Sequence, residues 1–458
     1  MLYSSTRGGD NNKSFIEVLL NGLASDGGLY VPNSIPFFNK EKLRSLANLE
    51  YHELCYEITK EFLNNEIPLN KYKKICEKTY KNFSENKIIS LTQLNKVEYI
   101  LNLFHGPTFA FKDFALQLLG NLYEHILKEK NLSLTILGAT SGDTGSAAIY
   151  GCSKSPKINL FILFPRGKVS EVQRKQMTTF DNPNVFNIEV DGDFDDCQRL
   201  VKKFFLKNKK NYNLAAINSI NWVRIMGQIV YYFWSFFKIE KDFKPISFVV
   251  PTGNFGNVYA GFYAKKMGLP IENLVVASNK NDILTRFFNS GSMKVKQTSS
   301  SLSPSMDIQV SSNFERLLFY FLKDSKKIKK LFLDLEDKGF FKIEDKILKE
   351  ILKFFKSDKL NDKETISSIS EIYKKYNITI DPHTAVGFAV GQRTLKDSSK
   401  RIYLATAHYG KFLQTVKEAI NQEIDYPQSL KKLLIKKESY HQINNSIAEL
   451  KSLIDFNS

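Results

Sequence analysis

A chain of 458 residues, 43% of them hydrophobic, carries enough apolar mass for a large core and for two or three domains. Its formal charge of +17 raises nucleic acid as a partner, but the lysines are spread over the whole length and no zinc-finger or RNA-binding signature accompanies them. Four scattered cysteines (Cys55, Cys76, Cys152, Cys197) indicate neither a disulfide framework nor a zinc site. No apolar run reaches the roughly 18 residues that span a bilayer, so the expectation is a soluble cytoplasmic protein.

Residues 1–95 read as a helix-rich N-terminal domain with a Gly-rich opening from Gly22 to Pro32. Beyond it, short apolar runs alternate with amphipathic helices, and Gly, Ser and Asn gather at the junctions. The segment from His105 to Phe111 is an apolar turn that delivers Lys112 to the mouth of a helix. Residues 132–137 form a strand, 138–148 turn into a helix and 158–163 form the next strand, a βαβ unit. Ser170 and Gln173 stand in capping-box spacing at the head of a helix over 170–180. A strand over 185–190 and a helix from about Asp195 follow.

A second series runs through 214–217, a helix over 222–237, a strand over 246–250, a glycine loop, a helix and a strand over 274–277. Lys- and Glu-rich stretches near 320–375 read as a helical insertion with solvated faces, and the core pattern returns at 379–380 and 402–405. The expected fold is α/β, with two doubly wound, mostly parallel sheets. One lies in a small domain over 96–212, the other in a large domain over 213–458. Ligands of such sheets sit at the carboxyl ends of the strands.

Four loops and one lysine carry chemistry. Lys112 has Phe109, Ala110, Phe111 and Phe114 around it. Desolvation and the positive end of a helix dipole both disfavour its ammonium form, and a Schiff-base enzyme needs the neutral amine. A snorkelling lysine paired with Asp113 is the plainer reading. In the loop Gly253, Asn254, Phe255, Gly256, Asn257 the glycines allow close backbone approach and the next helix offers free N–H groups to an anion. It has neither the GxGxxG spacing nor a Walker lysine, which leaves a single phosphate or a plain tight turn. Thr140, Ser141 and Thr144 bring three hydroxyls to another helix start, more than capping requires, and suit a carboxylate. Arg224, on the first turn of its helix, opposes the dipole. It is either a cation awaiting an anion such as a second phosphate, or an exposed arginine on a helix face. Thr406 follows the last strand with a neutral hydroxyl, and Asp381–Thr384 is a turn and helix start that capping explains.

A lysine amine, a phosphate cradle, a carboxylate loop and a neutral hydroxyl suit pyridoxal 5'-phosphate. The chain resembles the threonine synthase family in its fungal and bacterial form, a fold-type II pyridoxal-phosphate family related to the tryptophan synthase beta chain. The resemblance covers nearly the whole length. It rests on SSTRG at 4–8, GLASDGGLYVP, HGPTFAFKDFALQLLGNL, GATSGDTGSAAIYG, VSEVQRKQMTT, NSINWVRIMGQIVYYF, PTGNFGN, SMDIQVSSNFERLL, DPHTAVG and TAH-x-x-KF. It implies Lys112 as the catalytic Schiff-base lysine, Gly253 to Asn257 as phosphate ligands and Thr406 facing the pyridine nitrogen. It places Asp143 near the cofactor's phenolic oxygen, the 140–144 loop on the substrate carboxylate and Arg224 on the substrate phosphate. Lys168, Arg286 and Lys411 are further candidates for that phosphate. His408-Tyr-Gly-Lys411 departs from the His-Pro-Ala-Lys usual in the family, which puts the path of that loop in question.

The implied reaction turns O-phospho-L-homoserine and water into L-threonine and phosphate, the last step of threonine biosynthesis, by γ-elimination and β-hydration. No metal, membrane or nucleic acid takes part, and the enzyme acts as a monomer or homodimer. A dehydratase or phospho-lyase of the same fold is the nearest alternative, and a non-enzymatic basic nucleic-acid-binding protein is the alternative from another class.

Overall fold

Two mostly parallel sheets organise the chain, as the strand–helix alternation predicts. The computed structural model describes residues 1–81, 83, 87–208, 212–396 and 399–457. One sheet has six strands, ordered Phe355–Lys359, Ile271–Ser278, Ile246–Pro251, Arg401–Ala405, Glu98–Asn102 and Ser90–Gln93. All pair in parallel except the last, which runs antiparallel at the edge. The other sheet has five parallel strands, ordered His441–Ile443, Val185–Val190, Ile158–Pro165, Leu134–Ala139 and Leu214–Ala216. Strands such as Ile246–Pro251 and Arg401–Ala405 are buried at every residue, because helices cover both faces of a parallel sheet.

The sheets cut across the expected division into 96–212 and 213–458. Glu98–Asn102 pairs with Arg401–Ala405, while Leu214–Ala216 and His441–Ile443 join the sheet built from the 134–190 region. The stretch expected to be a helical insertion also contains strand Phe355–Lys359, which closes the six-stranded sheet. Its polar sequence hides it because an edge strand buries only part of its surface. The N-terminal region is helical, with a hairpin of Tyr3–Ser5 against Tyr30–Pro32. Among the described residues no helix is long and apolar enough to cross a membrane.

Four helices set the position of the site. Trp222–Ile239 is buried along nearly its whole length and packs on both Lys112–Glu129 and Gly256–Lys266. Helix Lys112–Glu129 also crosses Asp143–Cys152 with backbone against backbone. A Cβ at Gly120 would overlap the Gly151 carbonyl group, and one at Gly151 would overlap the Leu116 carbonyl. This close crossing brings the first residues of the two helices, Lys112 and Asp143, side by side.

Candidate active site

Every loop singled out in the sequence leaves the carboxyl end of a parallel strand. Strand Glu98–Asn102 runs into the turn that ends at Lys112, Leu134–Ala139 into Thr140–Gly142, Ile246–Pro251 into residues 252–255, and Arg401–Ala405 into Thr406. The turn carrying Lys112 lies along the segment after Ala405. Leu103 N–H donates to the Ala405 carbonyl at 3.0 Å, Phe111 N–H to Thr406 at 2.9 Å, and His408 N–H to Phe109 at 3.1 Å. Phe109 adopts a left-handed φ of 57°, a conformation that costs a bulky residue energy and is held here by the contacts around it. His408, whose ring lies edge-on to Phe109, donates its N–H inside this pairing, so the His-Tyr-Gly-Lys departure leaves Thr406 beside the lysine turn.

Lys112 does not pair with Asp113. The Asp113 carboxylate accepts the N–H (2.9 Å) and hydroxyl (2.8 Å) of Thr108, which closes the turn, and burial pushes its pKa up to about 6. The carboxylate nearest Lys112 is Asp143, 3.7 Å from Nζ. Burial pushes the Lys112 pKa down to about 8, Asp143 opposes that shift, and Arg224 and Lys411 reinforce it. Asp143 accepts from Lys411 Nζ at 2.6 Å, Gln173 Nε2 at 2.8 Å and the Ser305 hydroxyl at 3.1 Å. These donors and cations hold its pKa far below the usual carboxylate range despite burial.

The phosphate-suited loop has the form of an anion cradle. Phe255 adopts a left-handed φ of 62° immediately before helix Gly256–Lys266, a strain held by its packing against Phe288, Phe314 and Phe355. Among the described residues, none of the N–H groups of residues 253–257 reaches a protein acceptor. A Cβ at Gly253 would come within 2.8 Å of the Ser305 carbonyl oxygen, so only glycine leaves room there. Ser311 donates to the Gly253 carbonyl at 2.7 Å, and Asn313 donates twice to the Asn254 carbonyl at 3.1 Å. The cradle is thus rigid, as a site for a fixed anion must be. Buried Asn257 meets the hydroxyls of Tyr231 (2.6 Å) and Tyr232 (2.9 Å).

The other predicted residues divide in their roles. The Thr140 hydroxyl accepts the N–H groups of Gly142 (2.9 Å) and Gly145 (2.8 Å), which makes it a cap of its loop. Ser141 and Thr144 are half-buried, and the N–H groups of Ser141, Asp143 and Thr144 have no protein acceptor among the described residues. Arg224 is not the exposed arginine of the plainer reading: it is 2% exposed. It donates to the Asn218 carbonyl at 3.0 Å, leaves its Nε without a partner, and burial pushes its pKa down to about 10. Thr406 is buried, and its side chain has no hydrogen bond to a described residue. Of the further phosphate candidates, Lys168 is exposed, Arg286 pairs with Asp282, and Lys411 is occupied by Asp143.

The family described as "Threonine synthase N terminus" matches residues 2–80, "Pyridoxal-phosphate dependent enzyme" matches 87–329, and "Threonine synthase, C-terminal" matches 384–454. The threonine synthase of Pseudomonas aeruginosa is 44% identical over 99% of this chain and 98% of its own length. The chain belongs to the threonine synthase family of pyridoxal-phosphate-dependent enzymes. Family structures agree over the whole fold. The PLP-bound threonine synthase of Brucella melitensis has a TM-score of 0.96 at 40% identity, covering 100% of this chain and 99% of that one. The yeast threonine synthase gives 0.95 at 39%, covering 100% and 98%.

The residues present fit the family's cofactor: a half-buried lysine with a depressed pKa, an N–H cradle with no acceptor among the described residues and a glycine position too crowded for a Cβ. Reasoning from sequence missed Ser305, Gln173, Ser311 and Asn313 as parts of this site. Gln173 stood out for its capping-box spacing with Ser170, and the other three only within a stretch of resemblance. Density of small polar residues in 299–313 is the one physical signal that pointed there.

Proposed function

We propose that this protein converts O-phospho-L-homoserine and water to L-threonine and phosphate, closing threonine biosynthesis in the cytoplasm. It acts as a monomer or homodimer and needs no nucleic acid. The observation that carries this reading is a half-buried lysine, Lys112, with its pKa lowered to about 8, under the influence of a buried guanidinium, Arg224, that no carboxylate offsets among the described residues. A buried cation of that kind is costly unless a ligand brings the anion. An amino-acid dehydratase has no use for it, whereas a phosphate ester does.

Pyridoxal phosphate bound through Lys112 supplies an electron sink for the negative charge left when the substrate Cα loses its proton. The N–H groups of residues 253–257 would hold the cofactor phosphate, and Asp143 would act on the cofactor's oxygen side. The Thr406 hydroxyl would serve the ring nitrogen as a neutral partner, which would limit protonation there and restrain side reactions such as transamination. Ser141 and Thr144, with the free N–H groups of their loop and Thr140 as its cap, hold the substrate carboxylate. Arg224 holds the substrate phosphate until it leaves from Cγ. As a free amine, Lys112 Nζ would take and return protons at the substrate Cα and Cβ, and water would add at Cβ.

Purified protein given O-phosphohomoserine is expected to yield threonine and phosphate in equal amounts. 2-Ketobutyrate instead of threonine would favour the phospho-lyase reading. Arg224→Ala is expected to lower kcat/KM on the order of 100-fold, about 3 kcal/mol for a buried charge-assisted contact, with cofactor binding retained. Cofactor attachment should also follow the Lys112 free amine. Because its pKa lies at about 8, the attachment rate should rise with pH below 8, about tenfold per unit, and level off above it. A flat profile across this range would remove the amine assignment.

A further inference from the structure

We propose that Lys411 is a positioning residue: its buried ammonium engages the Asp143 carboxylate and so leaves Lys112 free to work as an amine. The inference rests on the function proposed above. Two lysines, Lys411 buried and Lys112 half-buried, share one carboxylate, and the geometry divides their tasks. Lys411 has a side chain with no exposure and two short contacts, Asp143 Oδ1 at 2.6 Å and the Thr108 carbonyl at 2.9 Å. Lys112 stands 3.7 Å from Asp143 Oδ2, whose nearer donor is the Ser305 hydroxyl at 3.1 Å. A carboxylate alone with Lys112 would draw it into an ion pair and hold it as ammonium, useless for bonding an aldehyde. Lys411 on the other oxygen, together with Arg224, opposes that attraction.

The same bond fixes the turn. Thr108 gives its N–H and hydroxyl to Asp113, while its carbonyl accepts from Lys411 and from Gln176 Nε2 at 3.0 Å. Lys411 therefore ties the turn that aims Lys112 to the loop that carries Asp143. Lys112 feels Asp143, Arg224 and Lys411, and Lys411 in turn acts on Asp113 and His408, the latter also under the influence of Asp381 and His105. Asp113 titrates at about 6 and His408, through burial, at about 4. Between pH 7 and 9.5 neither accounts for a change at Lys112.

The test follows attachment of pyridoxal phosphate to the full chain between pH 7 and 9.5. In this step Nζ attacks the aldehyde carbon and water leaves; borohydride then traps the bond, and mass spectrometry locates it on Lys112. Lys411→Met is expected to move the midpoint of the rate to higher pH by a unit or more, about a tenfold slower attachment at pH 7.5. Asp143→Asn, which keeps the Lys411 charge and removes the carboxylate, is expected to move it to lower pH. The double variant should return toward the parent. A purely structural role for Lys411 would change yield and leave the midpoint in place, and an unmoved midpoint in folded Lys411→Met overturns the proposal. Should Lys411→Met not fold, Asp143→Asn decides alone, and an unshifted midpoint there overturns it. A parent protein that traps no adduct on Lys112 would instead overturn the function on which the proposal rests.

Discussion

Lys112→Ala is expected to abolish turnover, by at least ~10⁴-fold, and to remove the absorbance band of lysine-bound cofactor, while the protein stays folded. The single amine performs two tasks in the proposed function, holding the cofactor and moving protons, so its loss removes both. The fold should tolerate the change. Lys112 makes one ion contact, at 3.7 Å, and lies among cations (Arg224, Lys411) that disfavour its own charge. Asp143 keeps Lys411, Gln173 and Ser305 as partners, so no buried charge is stranded. Absorption spectra of the purified variant, a threonine assay and a thermal melt together check this. Retained band and activity would sink the lysine assignment, and a lost melt transition would show a structural role instead.

Gly120→Ala is expected to cost about 3 kcal/mol or more, against the direction that helix propensity predicts. In an exposed helix interior this change gains roughly 1 kcal/mol. Here the added methyl overlaps the Gly151 carbonyl group, which is backbone and cannot rotate away. The helices must separate, and overpacking of this kind costs more than propensity returns. Because Lys112 and Asp143 open these two helices, separation also shifts the lysine relative to its carboxylate. Chemical unfolding with a fitted midpoint measures the first effect and the cofactor attachment rate the second. An unchanged or raised midpoint would mean that the crossing is looser than described.

How much the sequence reveals depends on what each residue touches. Most central strands are legible because burial on both faces demands unbroken apolar runs, as in Ile246–Pro251, although Glu98–Asn102 is not. The apolar edge strand Leu214–Ala216 is legible too, but other edge strands escape notice. Phe355–Lys359 is polar along one side, and His441–Ile443 has only three residues. Lys112 and the 253–257 loop are likewise legible, since local chain geometry alone makes them unusual. The side chains that tune them are not. Ser305 meets Asp143 across 162 residues and Lys411 meets Thr108 across 303, and no local pattern encodes such a meeting.

The interleaving of the two sheets bears on how the chain is made. A ribosome releases residues 134–216 long before His441–Ile443, yet those three residues complete the same sheet. Strand Glu98–Asn102, which leads to Lys112, likewise awaits Arg401–Ala405 as its inner neighbour. Neither half can finish folding while the other is still being synthesised. Until then the exposed strand edges invite wrong pairings, and pairing across so many residues is intrinsically slow. Deleting residues 441–458 would therefore strip the edge from a sheet whose other strands lie more than two hundred residues earlier, and would harm the nascent protein more than so short a segment suggests.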